Sequence, residues 1–316
     1  LRGMGALEHS YSSEYVLPAE AQMIEERVGE IMAHEFFHVV TPLNIHSEII
    51  EPYNFAKPTA SEHLWLYEGV TEWAAHTMLL RNNMISIDDY LAKMSEKLNR
   101  EEEFDKTYSL SNIGLKSYEP EGSKQYGNIY QHGALNGLMM DLQILKHSEG
   151  KRGLREVIVD LSKEYGKSRT FSEKDFFNIF VSKTNSDMQS YINNYVKGAK
   201  PLPIEEMLAT VGVKYTAERP STNTKQKLGI GSSPNDKGMV EIMEFSKVHI
   251  ACGFQLGDVI TKLFGKEISS DEVWMNVTRE VASKKVGETY DIEVLRNGTT
   301  LKLKGILAAR KDYHIL

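Results

Sequence analysis

The sequence predicts a multi-domain protein, a mainly α half followed by a β-rich half. Three observations lead there. The chain has 316 residues, 41% of them hydrophobic, enough for a sizeable core and more than one domain. Apolar residues recur at helical spacing up to about residue 210. Beyond a polar, proline-containing stretch at 214–227 the pattern changes to short alternating strands.

Taken in order, residues 1–18 mix glycine with β-compatible residues and end at Pro18, which reads as a short strand or extended segment. Met23, Ile24, Val28, Ile31 and Met32 follow a 3.6 period, so a helix is expected from about Ala19 until Thr41-Pro42 ends it. Further helical patterns cover 62–80, 86–100, 129–148, 154–165, 174–182 and 187–196, and Thr170 with Glu173 has capping-box spacing ahead of Phe176. We place the first domain at 1–215, a linker at 216–226 and the second domain at 227–316. In the second, strands are expected at 227–231, 238–245, 258–264, 289–296 and 299–306, with one helix at 271–282. Asn297-Gly298 between the last two strands is a two-residue hairpin signal.

Composition removes several function classes. A net charge of -7 and the lack of a basic run argue against nucleic acid as a partner. Cys252 is the single cysteine, so an internal disulfide framework is excluded and the redox compartment stays open. No stretch has the length of a membrane span or the layout of a signal peptide.

The chemistry concentrates in AHEFFHVVT, residues 33–41. On a helix, residues i and i+4 share a face, so His34 and His38 can aim ring nitrogens at one ion, with Glu35 near enough to act as a base. Given this composition, an accidental HExxH has a likelihood of roughly 2%, so a third ligand is needed to separate a metal site from two core histidines. Glu68, among Trp65, Leu66 and Val70, is the best candidate, because a carboxylate among apolar neighbours is costly unless paired or metal-bound. Two histidines and one glutamate leave a fourth zinc position open, the arrangement of catalytic rather than structural sites. Glu72, one turn on, is either a hydrogen-bond partner for a ligand imidazole or a solvated helix charge.

HEFFH, LWLYEGVTEW, GALEHSYS and QYGNIYQHG together resemble the glycyl aminopeptidase family of zinc metallopeptidases, relatives of aminopeptidase N and thermolysin. The resemblance spans almost the whole chain. It implies a thermolysin-like catalytic domain followed by a PDZ-like domain, one zinc ion per chain held by His34, His38 and Glu68, and Glu35 as general base. It also implies Tyr130 as donor to the oxyanion, with Tyr126 as rival, and Glu8 as the group that grips a substrate's α-amino group beside the Gly5 and Ala6 backbone. The expected partners are a peptide substrate, and a peptide or protein C-terminus at the PDZ-like domain, where Val273 to Val277 would line the groove.

Departures accompany the likeness. Ala6 replaces a family glycine, 40–44 differ from the family's run after the second histidine, and His132 stands where relatives carry lysine. Relatives place further domains before the GALEH segment, so the chain is expected to be the C-terminal part of a longer polypeptide, with that N-terminal domain as an intramolecular partner. The resulting expectation is an aminopeptidase acting on small or neutral N-terminal residues. An endopeptidase of the same fold and a non-catalytic peptide-binding protein are the alternatives. The sequence leaves the compartment open; export of bacterial relatives leans to a periplasmic or exported location, with the cytoplasm as the alternative.

Overall fold

Helix-forming and strand-forming segments separate along the chain much as their hydrophobic periods do. The computed structural model describes residues 5–9, 12–17, 21–51, 53–54, 56–220, 228–235, 237–245, 249, 251–307 and 311–315. It divides into two compact units, Leu1–Ala217 with Tyr313–Leu316, and Glu218–Asp312.

The first unit opens with β1 (Gly5–Glu8) and β2 (Ser13–Val16), an antiparallel hairpin pairing Gly5 with Val16 and Glu8 with Ser13. The single extended segment expected here is thus two strands, and β1 finds a neighbour within the chain. Helix α1 (Ala21–Phe37) stops four residues earlier than Thr41, and residues 38–44 form turns. A π-helix (Trp65–Val70) runs directly into α2 (Thr71–Arg81), where one continuous α-helix is expected from the sequence.

Then come α3 (Ile87–Glu101), α4 (Leu110–Leu115), α5 (Pro120–Gln125), α6 (Asn128–His147), α7 (Leu154–Glu164), α8 (Phe176–Ser182), α9 (Asp187–Tyr195) and α10 (Ile204–Ala209). The six-residue helices α4, α5 and α10 are too short to show a hydrophobic period, which is why sequence reasoning passes over them. Ser86 and Asp89 close a capping box on α3. The Thr170–Glu173 box does not form. Helix α8 begins behind Asp175 without a side-chain cap, and Glu173 instead accepts from the Ser61 hydroxyl at 2.8 Å and the Glu62 N–H at 2.7 Å. A buried loop amide needs an acceptor more than an accessible helix start does.

The core of this unit gathers Trp65, Trp73, Phe171, Phe176, Phe180 and the apolar face of α6. Trp65 stacks on Phe177 at 6.1 Å and meets Phe180 edge-on at 5.6 Å, and this pins the π-helix to α8. Gly69 and Gly133 let the π-helix and α6 touch backbone to backbone: a Cβ on Gly133 would lie 2.7 Å from the Gly69 Cα. Gly137 plays the same part against Trp73, where a Cβ would lie 2.8 Å from the Trp73 Cβ.

Part of the expected linker is ordered, as β3 (Tyr215–Pro220) pairs with β10 (Lys311–Ile315). Residues 221–227 lie outside the described residues. The second unit carries β4 (Ile230–Pro234), β5 (Val240–Phe245), β6 (Val259–Leu263), β7 (Lys266–Glu267), β8 (Thr289–Arg296) and β9 (Thr299–Ile306), in sheet order β4-β5-β6-β8-β9 with β7 pairing β6. Asn297 and Gly298 turn between β8 and β9 with φ of 49° and 80°, the type I′ geometry their sequence favours.

The expected helix at 271–282 is α11 (Asp271–Thr278) followed by a 3-10 turn (Arg279–Ser283). Trp274 and Val277 are buried in the core with Ile242, Ile260, Ile292 and Val294, so Val277 serves the core rather than a groove, and Val273 packs partly against the same cluster. No helix among the described residues is long and apolar enough to cross a membrane.

Candidate active site

Helix α1 carries His34 and Glu35 on its last turn, and His38 is the first residue beyond it. Although the helix ends between the two histidines, their rings stay on one side, 4.7 Å apart and edge to face. His34, Glu35 and His38 are all buried, with their ligand atoms within 4.8 Å of one another. The π-helix adds Glu68. Four of its neighbours, Trp65, Leu66, Tyr67 and Val70, point into the core, and Glu68 is turned toward the histidines.

Glu68 Oε2 lies 3.3 Å from His34 Nε2 and 3.8 Å from His38 Nε2. Two donors on a tetrahedral zinc, each about 2.1 Å from it, sit roughly 3.4 Å apart, so Glu68 Oε2 stands near the spacing that one ion would bridge to each imidazole. Their partners also fix the tautomers. His34 Nδ1 donates to Glu72 Oε2 at 2.7 Å and His38 Nδ1 donates to the Thr41 carbonyl at 2.9 Å, which leaves both Nε2 atoms facing Glu68. The residues present therefore fit a zinc ion.

Burial works against a charge on His34, yet Glu68 and Glu72 outweigh it and hold the imidazole pKa up at about 10. The site demands a positive charge, supplied by a proton on His34 or by a metal that displaces it. Burial likewise raises Glu35, against the lowering effect of His38 and His34. Its Oε2 is buried with no hydrogen-bond partner among the described residues.

Tyr130, from the first turn of α6, reaches the same cluster, with its ring 5.7 Å from that of His34 and its hydroxyl bonded to Glu68. Burial first, then the Glu68 charge, holds its phenol well above the ordinary value, so it stays a donor. Tyr126 packs against Tyr130 at 6.0 Å and bonds to its hydroxyl. Gly5, Ala6 and Glu8 of β1 line a cleft of about 650 Å³ together with His34, Glu35, His38, Glu68, Tyr126 and Tyr130. All of the site residues expected from the sequence thus share one cleft.

Of the two readings open for Glu72, the structure shows the hydrogen-bond partner of an imidazole and not a solvated charge: it binds His34, and also His76 at 3.2 Å and Lys97 at 2.5 Å. Lys97 gave no sequence signal, being one of two lysines on α3. At the rim, Glu30 pairs with Lys93 at 2.7 Å and Glu96 with Arg100 at 2.6 Å, exposed pairs worth little in stability.

With this geometry in place, comparison with known proteins is informative. Residues 27–136 match the family model described as M61 glycyl aminopeptidase. That segment contains His34, Glu35, His38, Glu68 and Tyr130, while Glu8 lies before it. Among solved structures, an aminopeptidase N family protein from Idiomarina loihiensis matches 99% of the chain with a TM-score of 0.80 at 20% identity. The multi-helical first unit and the β-rich second unit are thus similar in fold to that protein, of whose length the chain spans 58%. A serine endoprotease from Yersinia pestis matches over 28% of this chain and 30% of its own, at 19% identity and a TM-score of 0.23. No curated protein matches the sequence.

Proposed function

We propose that the chain is a zinc-dependent peptidase, an aminopeptidase that removes small or neutral N-terminal residues. The observation that carries this reading is the convergence of His34 Nε2, His38 Nε2 and Glu68 Oε2 beside a buried Glu35 oxygen that has no partner among the described residues. His34, His38 and Glu68 would hold the zinc, which supplies Lewis-acid polarisation to this side of the cleft. Glu35 takes the proton of the attacking water and returns it to the leaving nitrogen. The Tyr130 hydroxyl donates to the oxyanion as it forms, and Glu8 accepts from the substrate's α-ammonium across the cleft. With Glu8 and Glu35 lining one cleft, the free amine would be the ruler that sets an exopeptidase cut.

The second unit we read as a PDZ-like domain that captures a chain terminus. Strand β4 follows Leu228-Gly229 and, among the described residues, pairs only with β5, leaving its other edge for an added strand.

The test is Glu35→Gln with zinc content and turnover measured together. The expected result is full zinc retention with peptide hydrolysis lowered about 10²- to 10⁴-fold, the usual worth of a general base. Undiminished hydrolysis would contradict the mechanism. Free and N-acetylated forms of one peptide then separate the exopeptidase from an endopeptidase, because only the exopeptidase needs the amine at Glu8.

A further inference from the structure

A lysine buried in a protein interior is costly unless its charge is met at close range. Lys97 on α3 is 6% exposed, and two contacts meet its ammonium. It donates to Glu72 Oε1 at 2.5 Å and lies 3.4 Å from the backbone carbonyl of Tyr130. Glu72 Oε2 in turn receives the Nδ1 proton of His34 at 2.7 Å. One ammonium thus touches the carboxylate behind a metal-facing histidine and the backbone of the tyrosine across from it.

We propose that Lys97 is a positioning residue of the candidate zinc site. It fixes the rotamer of Glu72, so that Oε2 stays on His34 Nδ1 and His34 Nε2 stays aimed at Glu68, and it anchors the first turn of α6 at Tyr130. This inference rests on the zinc reading above.

The geometry favours this role over plain packing. Glu72 Oε1 is shared by Lys97 and His76, at 2.5 and 3.2 Å, whereas Oε2 is left to His34. Without the lysine, His76 alone among the described residues holds Oε1, and the carboxylate is free to rotate off His34. A lysine that only filled space would not be matched oxygen by oxygen to the group behind a ligand.

The experiment is a double-mutant cycle on zinc affinity, read by competition with a chromogenic chelator on Lys97→Met, Glu72→Gln and the double variant. Loss of a partner behind a ligating histidine weakens metal binding about 10- to 100-fold. Lys97→Met is expected to weaken zinc binding about tenfold in the wild-type background and to add nothing once Glu72 is already Gln. The double variant leaves no unpaired buried charge, so it keeps the cycle readable should Lys97→Met alone unfold, in which case equal zinc affinity of the double variant and Glu72→Gln is the supporting result. Unchanged or tighter zinc binding in a folded Lys97→Met, or an additional loss in the double variant, overturns the role of Lys97 while leaving the zinc reading intact. A wild-type chain that takes up no zinc overturns the zinc reading, and the role of Lys97 with it.

Discussion

Glu35 and Tyr130 illustrate how a residue's neighbours set its chemistry. Glu35 is buried and Tyr130 half-buried beside Glu68, and both are shifted toward their protonated forms, yet one is suited to take a proton and the other to give a hydrogen bond. Tyr130→Phe is expected to keep zinc and to lower kcat about 10²- to 10³-fold, the cost of one oxyanion donor; equal turnover in zinc-loaded Tyr130→Phe and wild type would pass the role to Tyr126. Away from the cleft, burial raises Asp141 to about 6 even though its Oδ1 accepts the Leu154 N–H at 2.6 Å. The sign follows from the direction: the raised group favours its protonated form, so its stabilisation is complete below its unfolded value and is lost as pH rises through about 6. Asp141→Asn keeps the acceptor, and unfolding experiments should find it more stable than wild type at pH 7, by on the order of 1 kcal/mol, with no gain at pH 4. A gain equal at both pH values would contradict the assignment. The sequence made His34, Glu35 and His38 legible because a two-ligand helix motif is local. Glu68 was legible as a carboxylate among apolar neighbours, Tyr130 and Glu8 came through resemblance, and Lys97 through neither, since its role depends on which face of α3 meets α6.

At the scale of elements, the site depends on how closely the π-helix approaches α6. Glu68 belongs to one and Tyr130 to the other, and Gly69 against Gly133 sets the spacing between them. Gly133→Ala should therefore cost about 2 kcal/mol or more, because the atom it meets is backbone and cannot swing away, and it should weaken zinc binding in parallel. Thermal melts and zinc titration check both, and a variant unchanged in either measure would show that the contact does not set the site. The wider π turn is invisible to a period analysis that looks for 3.6, so the sequence reads 62–80 as one helix. For the same reason the capping role given to Glu173 failed: spacing alone cannot reveal that Ser61 and Glu62, more than a hundred residues earlier, compete for its carboxylate. The Asn297-Gly298 hairpin, an element with a strong local code, forms where expected, and the helix expected at 86–100 forms as α3.

Across the whole molecule, the two units hold separate cores, one around Trp65, Trp73 and Phe176, the other around Ile242, Ile260 and Trp274. The change of period near residue 214 announces this division. The pairing of β3 with β10, some ninety residues further on, does not show in either segment alone. A ligand that binds one folded unit stabilises that unit by mass action, about 2.7 kcal/mol at a hundred times its dissociation constant. Chelation should accordingly lower the melting of the first unit and leave the second unmoved in calorimetry; a shift shared equally by both would count against a metal site confined to residues 34–68. The central claim is that this first unit binds one zinc ion through His34, His38 and Glu68. Elemental analysis after equilibrium dialysis against zinc tests it most directly, on the wild type beside Glu68→Ala and the His34→Ala, His38→Ala double variant. One zinc per chain in the wild type and little in either variant is the predicted result, and equal zinc in all three, or none in the wild type, would contradict it.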